Sequence, residues 1–387
     1  MSVAEPGAPL VVHSTTLVDA AGTVEAGWLS ARDGLITGTG RGDGWRRHEA
    51  DATVVDGQGQ LLVPGFVDLH VHGGGGHSHE EGADAVVAAT AAHRRHGTTR
   101  SVISFVSDSV EALAQRLAVV ADLVEDHPEV LGSHLEGPFL AESRKGAHDA
   151  TRLCDPSPAA VSHLLGAARG TLRQVTLDPR REGAAAAAAA FREAGVTVAV
   201  GHTDCGYDEA TAAFGAGASL LTHTFNAMPG IHHRAPGPVV AALDDPGVTL
   251  ELILDGEHVH PRVAAMLFAA APGRVALVTD AMAAAAGEDG RYALGGTAVV
   301  VSGGRAVVEG AGTLAGSTLT MAGALRTGLA AGLPRRELVG AATLTPARVL
   351  GLGSRIGRLT VGWVADLVLL DAALEVVSVH PSGQRLL

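Results

Sequence analysis

Five short stretches of this chain end an apolar run on a residue able to bind a metal or move a proton. They are His70-Val71-His72, His134-Leu135-Glu136, His202, His223 and Asp280. His70 and His72 stand two apart. In an extended strand alternate side chains share a face, so both rings point the same way and can share a cation. Glu136 closes an apolar run before Gly137-Pro138. A carboxylate there is costly to desolvate unless it is paired or bound to a metal. One reading pairs it with Arg144 or Lys145 as a salt-bridged rim residue. The other joins it to His202 and His223, which supplies three ligands and leaves a position open for water, the pattern of a catalytic site. His70 and His72 would add a second ion beside the first. Water on a divalent ion is acidified to a pKa of about 7. Asp280 would take its proton and later deliver it to a leaving amine. Taken alone, Asp280 reads more simply as a helix N-cap, because Ala281 onward is helix-compatible.

These residues need a scaffold that brings distant strand ends together. Eight apolar runs recur along the chain: Leu61–His72, Arg100–Val106, Val130–Glu136, Leu172–Asp178, Val196–His202, Ala218–His223, Val248–Asp255 and Val275–Asp280. Helix-compatible stretches such as Ala83–His96, Val110–Glu125 and Pro158–Ala168 separate them. Continuous apolar strands joined by helices imply a parallel sheet, and eight such units imply a closed (β/α)8 barrel of the TIM type. In that fold every C-terminal strand end lies on one rim, where active sites form. The two chain ends read as short strands: Leu10–Leu17, Gly27–Ala31 and Leu35–Gly38, then Arg358–Leu359, Ala365–Leu370 and Leu374–Val379. Neither set is large enough alone, so residues 1–60 and 355–387 are expected to combine in a small β-sandwich beside a barrel of residues 61–354.

Composition agrees with this and excludes other classes. The 387 residues include 47% hydrophobic and 18% charged, enough for a large core, but only 3% aromatic, so Ala, Val and Leu must fill it. The net charge of −13 argues against nucleic-acid or anionic-membrane partners. Cys154 and Cys205 make no disulfide framework, and Met1–Val12 shows no signal-peptide pattern. No apolar run reaches the length of a membrane span, so a cytoplasmic protein is expected. Ala184–Ala190, closed by Phe191 and Arg192, reads as part of a helix. Gly73–Gly76 is a flexible turn rather than a phosphate-binding loop. Lys145 is the one lysine among 28 lysine and arginine residues, and it lies in the loop after Glu136. A carboxylated lysine bridging two metals from a barrel strand is therefore ruled out, and Glu136 must bridge if two ions bind.

From about Pro64 to Asp366 the chain resembles the N-acetylglucosamine-6-phosphate deacetylases of the amidohydrolase superfamily. The resemblance rests on Pro64-Gly65-Phe66-Val67-Asp68, His134-Leu135-Glu136-Gly137-Pro138-Phe139, Lys145-Gly146-Ala147-His148 and Gly201-His202-Thr203-Asp204. It continues through Thr222-His223-Thr224-Phe225-Asn226-Ala227-Met228, Asp255-Gly256-Glu257-His258-Val259, Val278-Thr279-Asp280-Ala281 and Leu314-Ala315-Gly316-Ser317-Thr318-Leu319-Thr320-Met321. It implies hydrolysis of the acetamido group of N-acetylglucosamine 6-phosphate to glucosamine 6-phosphate and acetate, in amino-sugar catabolism and cell-wall recycling. It implies Glu136, His202 and His223 as primary ligands, Asp280 as proton shuttle, and His148 as a contact to the sugar and the substrate carbonyl. Asn226 and the Ala227 backbone match phosphate-side contacts. Arg234 and His258 match phosphate contacts, the former lent by a second subunit of a homodimer. Arginine suits a phosphate geometrically; the plainer reading of Arg234, beside His232 and His233, is a solvated basic loop. Some members carry Gln and Asn where this chain has His70 and His72 and use one metal; the histidine pair here admits one or two divalent ions, zinc ahead of iron. His77 and His79 match no role in the family and read as loop residues. The rivals are a deacetylase for the galactosamine epimer, another amide hydrolase or a deaminase on the same scaffold, and a non-enzymatic metal-binding relative.

Overall fold

The computed structural model describes residues 9–387; the first eight, part of the Met1–Val12 stretch, lie outside the described residues. Eight parallel strands follow one another around a barrel in chain order: Phe66–Val71, Thr98–Phe105, Val130–Glu136, Leu172–Leu177, Thr197–Val200, Leu220–Leu221, Thr249–Ile253 and Val275–Val278. The ring closes where the end of the eighth strand meets the first. Val71 bridges Ala281 in parallel, and the Asp280 N–H donates to the His70 carbonyl at 2.8 Å. A helix follows every strand: α1 (Ala83–Arg95), α2 (Val110–Asp126), α3 (Pro158–Ala168), α4 (Ala184–Glu193), α5 (Tyr207–Gly215), α6 (Gly237–Asp244), α7 (Pro261–Ala270) and α8 (Met321–Ala330). Local sequence sets several of their starts. The Ser109 and Ser157 hydroxyls accept the N–H of Ala112 and Ala160, and Pro158 and Pro261 occupy first-turn positions whose N–H would have no partner. The alanine run becomes α4, turning Ala184, Ala187 and Phe191 inward.

The terminal segments join in a seven-stranded sheet whose hydrogen bonding is continuous. Leu61–Pro64 lies between Leu10–Asp19 and Leu367–Leu370, so the two chain ends meet through it. One apolar face of this sheet, with Leu10, Val12, Leu29, Ile36, Leu62, Leu367 and Leu369, packs on itself as a separate core. The run Leu61–His72 therefore divides between two sheets, and Gly65 is the joint. A Cβ on Gly65 would lie 2.2 Å from the Thr99 hydroxyl, a contact no other residue type could make. Arg358–Leu359 forms no strand; Asp19 accepts the Leu359 N–H at 3.1 Å and holds that segment as a loop.

An additional antiparallel sheet follows the eighth strand: Gly290–Leu294, Thr297–Ser302 and Arg305–Val308. Its two tight connections are Gly295-Gly296 and Gly303-Gly304, all four at positive φ. Thr297 donates to the Ala147 carbonyl at 3.1 Å, tying this sheet to the loop that carries His148.

One buried ion pair links the terminal sheet to the barrel. Arg100 of the second strand bonds both oxygens of Asp366, at 2.6 and 3.2 Å, and the Ser382 N–H also donates to Asp366. Asp366→Ala would leave the guanidinium buried without its partner, which costs about 3–5 kcal/mol. The midpoint of thermal unfolding should fall by several degrees; an unchanged midpoint in calorimetry would show that the pair does not join the two units.

Candidate metal centre

The strand ends meet as the spacing predicted, but by a backbone route the spacing did not show. The fifth, sixth and eighth strands stop at Val200, Leu221 and Val278, each two residues before the residue of interest. His202, His223 and Asp280 then adopt φ of 46°, 26° and 47°. A left-handed conformation at a non-glycine residue is strained, and such strain concentrates at functional sites. Here it turns each side chain from the strand toward the barrel axis. Asp280 is accordingly a turn residue, and the chain after it forms no helix for it to cap.

Glu136 lies at the centre of the cluster. Its Oε1 is 3.0 Å from His202 Nε2, 3.1 Å from His223 Nε2 and 3.4 Å from His70 Nε2. Its Oε2 is 3.2 Å from His72 Nε2 and 3.3 Å from His148 Nε2. His70 and His72 face each other at 3.0 Å, His202 and His223 at 2.9 Å, and Asp280 Oδ1 lies 3.5 and 3.3 Å from the first pair. All of these side chains are buried. The alternative pairing of Glu136 does not occur: Arg144 pairs with Asp204, and Lys145 donates to the His148 carbonyl. Ligand atoms 2.0–2.1 Å from a tetrahedral cation stand about 3.3 Å apart. The observed spacings bracket that value, and the nitrogen–oxygen donor set suits a divalent ion.

Hydrogen bonds on the far side of each ring separate ligands from donors. His202 Nδ1 faces the Arg144 carbonyl at 2.7 Å; a carbonyl only accepts, so Nδ1 carries the proton and Nε2 offers a lone pair to the centre. His148 is arranged the opposite way. The Ser107 backbone N–H donates to its Nδ1 at 3.1 Å, so the neutral ring carries its proton on Nε2 and presents a donor to the centre. His148 is thus close enough to be a ligand but has the tautomer of a hydrogen-bond donor.

The electrostatics follow from burial among opposite charges. Burial works to raise Glu136, but His70 and the other rings hold it well below the usual carboxylate range. Asp280 is lowered in the same way, with His70 and His72 overcoming desolvation. Burial works to depress His72, yet Asp280 and Glu136 push it up to about 9, and His70 is likewise raised. Burial lowers His148 to about 4 despite Glu136, which keeps it neutral.

Of the remaining predicted residues, Asn226, Ala227 and His258 lie around this centre. The Asn226 amide donates to the carbonyls of His223 and Thr224, and Ala227, at φ 50°, accepts the Thr203 N–H. His258 Nδ1 is 2.7 Å from Asp255, and against the effect of burial that carboxylate raises the imidazole toward its cationic form. Arg234 is not drawn in: it is exposed and hydrogen-bonds to the neighbouring His233. His77 is exposed, whereas His79 is buried, its ring pushed down to about 3 by burial and by His72 and His93. A cleft of about 720 Å³ opens beside His148, between the Lys145–Arg152 loop and Gly295–Thr297. The sequence reading missed Ser107, Gln174 and Glu251. Only Glu251 left a signal, a lone carboxylate inside the apolar strand Thr249–Ile253.

The amidohydrolase family model matches residues 61–384, spanning the barrel and its return into the terminal sheet. The chain belongs to the amidohydrolase family. It is 36% identical to the N-acetylgalactosamine-6-phosphate deacetylase of Escherichia coli O157:H7, over 93% of this chain and 96% of that protein. It is 34% identical to the N-acetylglucosamine-6-phosphate deacetylase of Vibrio furnissii, over 84% and 82%. Among solved structures it is similar to a mutant N-acetyl-D-glucosamine-6-phosphate deacetylase of Mycobacterium smegmatis in complex with N-acetyl-D-glucosamine-6-phosphate. That similarity has a TM-score of 0.93 at 40% identity, over 98% of this chain and 99% of that one. This amidohydrolase is a hydrolase with a divalent-metal site, and among the described residues no helix is long and apolar enough to cross a membrane.

Glu136→Ala removes the group common to all these contacts and should abolish metal retention; stoichiometric metal by elemental analysis would count against its role. The raised histidines set a pH dependence for the metal-free protein. His72 titrates near 6.5 when unfolded and near 9 when folded, and His70 and His258 are shifted in the same direction. The stabilisation is therefore complete below about pH 6.5 and is lost as pH rises toward about 9. In chelator the unfolding midpoint should drop across that window, and added metal should flatten the drop. A flat profile in chelator would contradict this balance of charges.

Proposed function

We propose that this amidohydrolase removes the acetyl group of N-acetylglucosamine 6-phosphate, releasing glucosamine 6-phosphate and acetate. One observation carries the reading: a buried cation position lies beside a proton-accepting Asp280 and an N–H-donating His148, in a chain whose similar proteins deacetylate phosphorylated N-acetylhexosamines. Glu136, His202 and His223 would hold one ion, and His70 and His72 with the second Glu136 oxygen would hold another. We favour zinc, because imidazole and carboxylate ligands in this number suit it. When bound, the metal supplies a polarised acetyl carbonyl and an acidified water.

The side chains do the rest. Asp280, held as a carboxylate by His70 and His72, accepts a proton from the attacking water. His148 donates its Nε2–H to the oxygen that gains charge as the carbonyl becomes tetrahedral. Asp280 returns the proton to the sugar nitrogen as the carbon–nitrogen bond breaks, so water and amide become acetate and amine. The cationic tendency of His258, with the Asn226 and Ala227 backbone beside it, supports a phosphate-binding side. We place Arg234 in the phosphate site of a second copy. Its loop is exposed, reaches nothing in its own centre, and carries Ile231 with 55% of its surface open. A phosphorylated sugar as substrate supports a cytoplasmic location for the enzyme.

A second reading, the galactosamine epimer, is favoured by the 36% identity to the Escherichia coli enzyme. Acetate release from both phosphorylated epimers and from unphosphorylated N-acetylglucosamine, with and without chelator, separates the readings. The glucosamine epimer should give the highest kcat/KM, and the sugar lacking phosphate should be poor. A higher kcat/KM for the galactosamine epimer would overturn the first reading.

Asp280→Asn should lower kcat by about 10²–10⁴-fold, the range of general acid–base catalysis, with metal content unchanged. Wild-type-like turnover would refute the proton-transfer role. Arg234→Ala should also be nearly inactive on the phosphorylated sugar. Co-refolding the two variants as a 1:1 mixture should restore roughly a quarter of wild-type activity, since half the dimers are mixed and each carries one intact site. No recovery would place Arg234 outside the partner's site.

A further inference from the structure

The strand Thr249–Ile253 lies between the strands that lead to His223 and Asp280 and carries no metal ligand, yet it holds a fully buried carboxylate. Glu251 has no exposed surface, and its neighbours Leu250 and Leu252 are equally buried. A carboxylate in such a place is costly unless its oxygens are matched by donors. The donors are His70 Nδ1, 3.3 Å from Oε2; the His223 backbone N–H, 3.3 Å from the same oxygen; and the Gln174 amide, 2.8 Å from Oε1. Two of these partners belong to the metal cluster, one from each of its histidine pairs. No arginine or lysine takes part. If Glu251 served only to neutralise charge, such a side chain would be its expected partner.

We infer that Glu251 is a positioning residue for the metal centre, fixing the Nδ1-protonated tautomer of His70 and the left-handed turn at His223 so that both Nε2 atoms face the cation. The first half rests on tautomer logic. An ionised carboxylate only accepts, so His70 Nδ1 must carry the proton and Nε2 is left bare toward His72, Glu136 and Asp280. The second half rests on the backbone. His223 has φ 26°, an unfavourable value for a non-glycine residue, and the bond from its N–H to Glu251 helps to hold it. The adjacent Thr224 N–H donates to the Glu251 carbonyl at 2.8 Å, so the turn is gripped at two successive peptides.

The network also suggests a conservative variant. Gln174 Oε1 is buried with no partner. In Glu251→Gln, the new amide can donate to that oxygen once the Gln174 amide rotates, leaving the carbonyl of the substituted side chain to accept from His70 and His223. Glu251→Met keeps the length and removes both acceptors.

The inference rests on the metal-centre reading, and the experiment separates the two. Metal content after dialysis and zinc affinity by chelator competition are measured for the wild type, E251Q and E251M, with the metal-free unfolding midpoint of each. E251M should lose one metal equivalent or bind zinc at least 10-fold more weakly, the effect typical of removing a histidine's outer partner. E251Q should stay within about 3-fold of the wild type, because the acceptor is preserved. Wild-type protein that retains no metal overturns the centre and this inference together. Wild-type protein that retains metal, with E251M within about 2-fold of it, overturns the inference alone, as does E251Q losing as much as E251M. A lower metal-free midpoint with unchanged zinc affinity assigns Glu251 a purely structural role and also overturns it. If E251M does not fold, the nitrogen-15 shifts of His70 in zinc-loaded wild-type protein decide, assigned by their loss in His70→Gln. Protonation at Nδ1 is expected, and protonation at Nε2 overturns the inference.

Discussion

The structure depends on keeping one carboxylate ionised where water does not reach it. Glu136 is buried, and the rings of His70, His72, His148, His202 and His223 all approach it within 3.4 Å. An isolated charge in such a place would be neutralised by a proton. The five rings come from segments that no local interaction could assemble, so the barrel must be closed before the charge is tolerable. The closure at Val71–Ala281 therefore does two things: it completes the sheet, and it brings Asp280 to the pair on the first strand. Fold and centre support each other, because the cluster would be strongly destabilising in an incomplete barrel.

Much of this was legible in the sequence, for a specific reason. A strand buried on both faces reads as an unbroken apolar run, and a histidine or acid at its end stands out against it. That contrast exposed all eight strands and five of the strand-end positions. The short sixth strand, only Leu220–Leu221, was still found because the apolar run continued beyond its hydrogen bonds. Periodicity could not show that His202, His223 and Asp280 lie past the strands in left-handed turns, since φ leaves no trace in residue type unless glycine is used. The Leu61–His72 run hid a change of sheet at Gly65 because both halves are buried.

The parts that stayed illegible are those defined by partners rather than by pattern. Ser107 acts on His148 through a backbone N–H, which every residue but proline possesses. The small sheet of Gly290–Val308 was readable in principle from its paired glycines, but it follows the last barrel strand, where the repeating unit gives no reason to look for one. Arg234 illustrates the reverse: the resemblance gave it a phosphate contact, yet within one chain the residue is simply exposed.

The Arg100–Asp366 pair has a consequence for how the molecule is made. Its members lie 266 residues apart, and an earlier strand, Leu61–Pro64, pairs with Leu367–Leu370 over a similar span. During translation the opening third of the polypeptide emerges with a guanidinium and a sheet edge whose complements have not yet been synthesised. Sequential folding from the amino terminus, open to many multidomain chains, is closed to this one. The nascent protein must carry unfinished edges until Asp366 and Leu367–Leu370 have been made and are free to pair.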